Sequence, residues 1–402
     1  MFLQPLIRRN PAFVAAVVDL HQQGQVPANS YVLDLDAMES NARGIAHAGR
    51  DAGLTVWAMT KQFGRVRPAL DAVLRGRVDG FVAVDMACVR PIARAGHRVG
   101  HLGHLVQIPR FEANDAATVR PDYWTVFSDD KALEASDAAG RAGITQKMLA
   151  RIHAPGDTFY PGHEGGFRAD EVVAAAERID SLPHASFAGV TSFPALIFDQ
   201  DTGTVQLTPN LRTLAHAAEA LHAAGRGDVQ INAPGTTSAD VIRLLVDAGA
   251  TQIEPGHGFT GTTPLHAIAD LPEVPAAAYV TEVSHNFGGR AYCFGGGLYV
   301  DPVFAPYEVT ALVGGSAAEA LEKPPIPASL PSPAAIDYYG QIDQPTGRPI
   351  RTGDTVVFGF RMQAFFTRAW VVPLSGVASG RPAVEGIWRT DGTRVDKEAG
   401  GA

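Results

Sequence analysis

Between Tyr31 and His266 the chain alternates short apolar or β-branched runs with longer stretches whose apolar residues recur at i, i+3 and i+4. The runs fall at residues 55–59, 81–84, 99–105, 124–127, 148–152, 187–191, 229–231 and 252–254. Runs this short are strand length, the spacing between them is that of a helix with one buried face, and strands joined through helices pair in parallel. Eight such units predict a (β/α)8 TIM barrel, for which roughly 250 residues is usual. A further strand from Tyr31 and a helix over 37–52, with Asp36 as its N-cap and Gly53 as its stop, come before the first barrel strand.

After His266 the pattern changes to strands rich in Val, Tyr and Phe, at 278–283, 291–294, 308–313, 355–360 and 364–372, separated by Gly and Pro clusters. That pattern predicts a C-terminal all-β domain, with the Pro-rich stretch 318–335 as a loop of polyproline character. The expected division is an N-terminal helix over 1–27 packing on the second domain, a barrel over 28–266 and the β domain over 267–402. The apolar stretch 13–20 is broken by Asp19 and lacks a cleavage pattern, so it reads as an amphipathic helix and not as a signal peptide or membrane span.

At 402 residues the chain exceeds the roughly 250 to 300 that one core supports, which agrees with two domains. Its 42 acidic against 33 basic side chains give a net charge of -9, which repels nucleic acid and anionic membrane. Cys88 and Cys293 make neither a disulfide framework nor a paired metal motif, and they suit a reducing cytosol.

In a barrel of this kind, chemistry gathers at the C-terminal ends of the strands, and a phosphate site frequently follows strands 7 and 8. Strand 7 is followed by Gly235, Thr236 and Thr237, and strand 8 by Glu254 and then Gly256-His257-Gly258. Glycines let the backbone approach an anion, while hydroxyls and a helix N-terminus supply donors. Gly-Thr-Thr-Ser is also an ordinary helix start, so position after strands 7 and 8 carries the phosphate reading. Lys61, two residues beyond strand 1, is either a solvated surface lysine or a partly desolvated amine able to condense with an aldehyde. An amine, a phosphate cradle and a charged partner for a ring nitrogen are what pyridoxal 5'-phosphate (PLP) requires.

His97, His101 and His104 have a spacing that suits a metal on a helix, but Gly96, Gly100 and Gly103 interrupt it. The segment reads as a turn entering strand 3 and no metal site is assigned; His104 is placed to face the cofactor. His153, His163, Thr191 and Ser192, near the ends of strands 5 and 6, are open to a site role or to packing.

The run Tyr31-Val32-Leu33-Asp34-Leu35-Asp36, the strand leading to Lys61 and the Gly-rich loops resemble fold-type III PLP enzymes. That group includes alanine racemase, the ornithine and diaminopimelate decarboxylases and D-threonine aldolase-like proteins. Gly103-His104-Leu105-Val106-Gln107 and Tyr160-Pro161-Gly162 are similar to phrases of the alanine racemase-like YhfX family, and the resemblance covers most of the chain, β domain included. It implies that Lys61 is the Schiff-base lysine. Alanine racemases carry an arginine where Glu254 stands, whereas Glu254-Pro255-Gly256 looks like the decarboxylase branch, in which the acid pairs with a protonated ring nitrogen. It implies, too, a homodimer whose β domain supplies the group on the far face, with Tyr292, Cys293, Tyr338 and Tyr339 as candidates. Cys293 is followed by Phe-Gly-Gly and not by the Asp-Gly turn of the decarboxylases, so an ornithine-like substrate is disfavoured. The expectation is a cytoplasmic PLP enzyme acting at Cα of a small amino-acid substrate. Racemase is the first reading, decarboxylase the alternative and a non-catalytic PLP carrier the third, with no nucleic-acid or membrane partner.

Overall fold

The computed structural model describes residues 1–299 and 307–395, and the chain divides into two compact units. One comprises Gly44–Thr60 and Arg77–Gly256; the other comprises Met1–Arg43, Lys61–Gly76 and the chain from His257 onward.

The first unit is built on eight parallel strands: β1 (Thr55–Met59), β2 (Gly80–Ala83), β3 (Val99–Leu102), β4 (Tyr123–Val126), β5 (Gln146–His153), β6 (Ala185–Thr191), β7 (Gln230–Asn232) and β8 (Gln252–Ile253). Each pairs with the next, and β8 pairs back on β1 through Gln252 opposite Thr55 and Ile253 opposite Val56. The ring of eight is therefore closed, and a two-residue strand, Phe167–Arg168, adds onto the end of β5 outside it. Its strands are buried on both faces, which is why they read as continuous apolar runs without alternation.

Within this unit helices follow β2 to β7, at Met86–Arg94, Ala113–Thr118, Asp129–Arg141, Val172–Asp180, Pro209–Ala223 and Ile242–Asp247; along the chain β1 is followed by a helix, Arg67–Arg75, and β8 by a short 3-10 turn, Pro264–Ala267, both of which fall in the other unit. The eighth helical place is taken by the helix that precedes β1. Gly49 of Leu35–Asp51 lies so close to Val56 that a Cβ there would come within 2.4 Å of it, with Ile253 at 4.0 Å. That helix starts two residues earlier than the spacing predicts, and its cap is Asp34 and not Asp36. Asp34 Oδ1 accepts from the backbone N–H groups of Asp36 and Ala37, each at 3.1 Å.

The second unit is dominated by a mostly antiparallel sheet. Ser30–Asp34, which the sequence pattern groups with the barrel, runs through the middle of this sheet, antiparallel to Ala277–Phe287 (Ser30 opposite Val280) and parallel to Trp370–Ser375 (Ser30 opposite Trp370). The N-terminus forms two helices, Leu3–Arg9 and Pro11–Gln22, broken at Asn10, whose side chain accepts from Phe13 N–H and donates to Asp34 Oδ2 at 2.9 Å. Their apolar faces, including Leu6, Phe13, Val14 and Val17, share one core with Val32, Val280, Val357 and Val372 of the sheet.

Two expectations for this unit are corrected. The Pro-rich stretch is not a plain loop: Ser316 caps a helix, Ala317–Leu321, through Glu319 N–H, and Ile326–Ser329 is a strand paired on both sides. The strand expected over 364–372 is split, with a 3-10 turn at Ala364–Phe366 before Trp370–Ser375.

Candidate active site

Five strand ends of the barrel unit bring polar side chains to one fully buried carboxylate, that of Glu254. Oε1 accepts from His101 Nδ1, just inside the end of β3, and from Asn232 Nδ2, the last residue of β7, at 3.0 Å. His104 Nδ1 faces Oε2 at 2.8 Å. The donors are themselves held. His101 Nε2 is 2.6 Å from Thr125 Oγ1 on β4, and Asn232 Oδ1 accepts from Thr191 Oγ1 on β6 at 2.7 Å. A period of two aims alternate residues of a strand inward, so polar residues at the mouth of an otherwise apolar strand converge.

Burial alone would raise the carboxyl pKa of Glu254, but the facing imidazoles of His104 and His101 outweigh it and hold the group ionised, well below the ordinary range. His101, His104 and Glu254 bring one ligand atom each within 4.8 Å of one another, a grouping that could also hold a metal ion.

Beside it, the rings of Phe193 and His104 meet edge to face at 5.4 Å, and Phe193 also touches Tyr160 and His163. The loops that carry these rings are tied by Arg151, a fully buried guanidinium that donates to the His163 carbonyl at 2.8 Å and lies over the Phe127 ring. Burial lowers its pKa to about 10, so it stays charged.

Thr60 ends one segment of the barrel unit and Gly256 the other, and Met59 N–H donates to the Pro255 carbonyl at 2.9 Å, so the chain leaves β1 and β8 side by side. Lys61 and His257 are the next residues. Within the second unit Lys61 opens a 3-10 turn, Lys61–Phe63, with its Nζ 6.0 Å from the centre of the Phe365 ring. Arg65 follows in the left-handed region, φ 57°, anchored by Nε and Nη2 donating to the Thr390 carbonyl at 3.1 and 2.8 Å. His257 donates from Nε2 to the Met362 carbonyl at 2.9 Å. Burial, and then the charge of Arg361, push its pKa well below the usual value, so the ring is neutral with Nδ1 left as an acceptor.

Of the other residues singled out by sequence, Thr237 is buried and donates to the Gly235 carbonyl, while Thr236 is half-buried. Gly235 admits the backbone of Leu196, whose N would lie 2.7 Å from a Cβ, so its small size is required by packing as well as by any anion. Gly256 and Gly258 flank His257 in the turn after β8. In the second unit Tyr292 is half-buried, stacked on His285 at 4.6 Å, with Tyr339 edge-on. Cys293 is fully buried against Gly340, and burial pushes its thiol up to about 12. Sequence reasoning missed Thr125, Asn232, Arg151 and Phe193. The available signal was a polar residue at the C-terminal end of an apolar run, which Thr125 and Asn232 both show.

Residues 33–264 match the alanine racemase N-terminal domain family and residues 278–384 the YhfX-like C-terminal domain family. The chain belongs to the alanine racemase-like family. It is 37% identical to the uncharacterized protein YhfX of Escherichia coli (strain K12) over 395 residues, 98% of this chain and all of that one. Its fold is similar to that of D-threonine aldolase from Filomicrobium marinum, with a TM-score of 0.68 at 16% identity over 91% of this chain and 96% of that one. It is also similar to alanine racemase of Clostridium difficile 630 in complex with cycloserine, with a TM-score of 0.61 at 14% identity over 91% and 99%. The fold is that of the fold-type III enzymes, a TIM barrel with a C-terminal β domain, and the cofactor of this family is PLP. No helix among the described residues is long and apolar enough to cross a membrane.

Proposed function

We propose that this protein is an amino-acid racemase that moves the Cα proton of its substrate, with Lys61 as the lysine that binds PLP and Glu254 as the partner of the ring nitrogen. The observation that carries the reading is the Glu254 carboxylate: fully buried at the end of β8 and held ionised, the charge that a protonated ring nitrogen calls for. Bound PLP withdraws electrons from the Cα of an amino acid joined to it and so acidifies that C–H. Lys61, released by the substrate amine, takes or returns the Cα proton on one face. Phosphate binding falls to Gly235, Thr236, Thr237, Gly256 and Gly258, with His257 held neutral beside them and His104 completing the wall at Glu254.

For the opposite face we assign Tyr292, in a homodimer in which each copy's β domain serves the other, in the cytoplasm. A thiol pushed up to about 12 and shut inside a sheet is a poor proton carrier, which favours Tyr292 over Cys293. A decarboxylase is the second reading, favoured by the carboxylate at Glu254, because a charged ring nitrogen stabilises any carbanion at Cα.

Incubation of the holoenzyme with amino acids in heavy water separates the two. Racemisation gives α-deuteration with loss of chirality, and decarboxylation releases carbon dioxide. Lys61→Ala is expected to lose the absorbance of the lysine-bound cofactor and its fixation by borohydride; a retained, reducible adduct would refute the lysine assignment.

A further inference from the structure

We propose that His101 and His104 are positioning residues that weaken Glu254 as a counter-charge, so that the ring nitrogen of the bound cofactor meets a moderated carboxylate and not a bare one. The inference rests on the reading of Glu254 as that nitrogen's partner.

His101, His104, Thr125, Thr191, Asn232 and Glu254 all lie in the barrel unit. A carboxylate has about four acceptor positions. On Glu254, Oε1 already takes the N–H groups of His101 and Asn232, and His104 Nδ1 crowds Oε2 at 2.8 Å. Neither donor to Oε1 is free to turn away. His101 is pinned at its other nitrogen by Thr125 Oγ1 and Asn232 at its carbonyl oxygen by Thr191 Oγ1, all of them buried. Because His101 Nδ1 faces a carboxylate, it carries the hydrogen and donates it. Two protonation states of the ring satisfy Nε2: a neutral ring that accepts from the Thr125 hydroxyl, or an imidazolium that donates to it. In either state the ring draws negative charge away from Glu254, and in a buried site such an effect is little screened. In both states the ring weakens Glu254 as a counter-charge.

The chemical consequence is a damped electron sink. A less fully protonated ring nitrogen stabilises the substrate carbanion less, which favours prompt return of a proton to Cα over protonation elsewhere along the conjugated system. That outcome suits proton exchange better than a bare carboxylate would.

The test is the ring-nitrogen resonance of the holoenzyme loaded with PLP labelled with 15N at that atom, read at one fixed pH. The wild-type resonance is expected to fall short of the fully protonated position. Glu254→Gln should move it toward the unprotonated position. His101→Asn and His104→Asn should move it the opposite way, and Thr125→Val should move it in the same direction as His101→Asn but less. Thr125→Val releases the pin on His101 but removes neither ring nor the carboxylate, so it carries the test even if a histidine variant does not fold. Histidine and Thr125 variants that leave the resonance unmoved, or send it toward the unprotonated position while Glu254→Gln shifts it, would overturn the proposal. A resonance indifferent to Glu254→Gln would instead show that Glu254 is not the ring's partner, and both readings would fall.

Discussion

His257 illustrates how one side chain's environment becomes a property of the whole protein. Burial, reinforced by the charge of Arg361, lowers its pKa in the folded state, whereas the unfolded chain has the ordinary value of about 6.5. The unfolded state therefore takes up a proton that the folded state refuses. The stability this group contributes is fully present above pH of about 6.5 and is lost as the pH falls below it, by up to about 1.4 kcal/mol per pH unit. His257→Gln, which keeps a donor for the Met362 carbonyl, is expected to flatten the fall in urea midpoint between pH 7.5 and 5.5; an unchanged slope would show that the ring is not buried neutral. Cys293 gives a second residue-scale prediction. Cys293→Ala should cost about 1 kcal/mol in stability, since it deletes one buried sulfur, and should leave α-proton exchange intact. Loss of exchange in a folded variant would return the thiol to the reaction.

At the scale of elements, the segment from Asn10 to the helix Leu35–Asp51 shows how a few polar atoms set the course of the chain. Asp34 caps that helix with Oδ1 and receives Asn10 with Oδ2, while Asn10 caps the N-terminal helix Pro11–Gln22 and donates to the Pro275 carbonyl. Asp34→Ala removes a cap and strands a buried amide, for an expected loss of about 2 to 3 kcal/mol. Asp34→Asn, which can still accept at one oxygen, should lose less, and equal losses in thermal melts would show that the cap does not matter. The sequence pattern placed the helix well but chose Asp36 over Asp34, because either acid precedes the apolar periodicity and only the backbone decides which one stands outside it. The same ambiguity explains the missed helix at Ala317–Leu321. Prolines at 324, 325 and 327 masked a Ser-x-x-Glu cap that ends just before them.

At the scale of the molecule, strand Ser30–Asp34 belongs with residues more than two hundred positions away, paired to Ala277–Phe287 on one side and Trp370–Ser375 on the other. A fragment of residues 28–266 would carry this wholly buried strand without either partner. Such a fragment is expected to aggregate or to melt without a sharp transition, and a soluble fragment with cooperative unfolding would contradict the pairing. The barrel strands were legible in the sequence because each is a local pattern, a short apolar run followed by a helix period. Sequence alone also determined that a carboxylate, Glu254, stands at the end of the last barrel strand. Only the tertiary structure decided which residues surround that carboxylate, because His101, Thr125, Thr191, Asn232 and Glu254 come from five strands and meet only when the sheet closes. It also decided that Cys293 is sealed inside a sheet, since burial is a property of packing and not of a residue's neighbours along the chain.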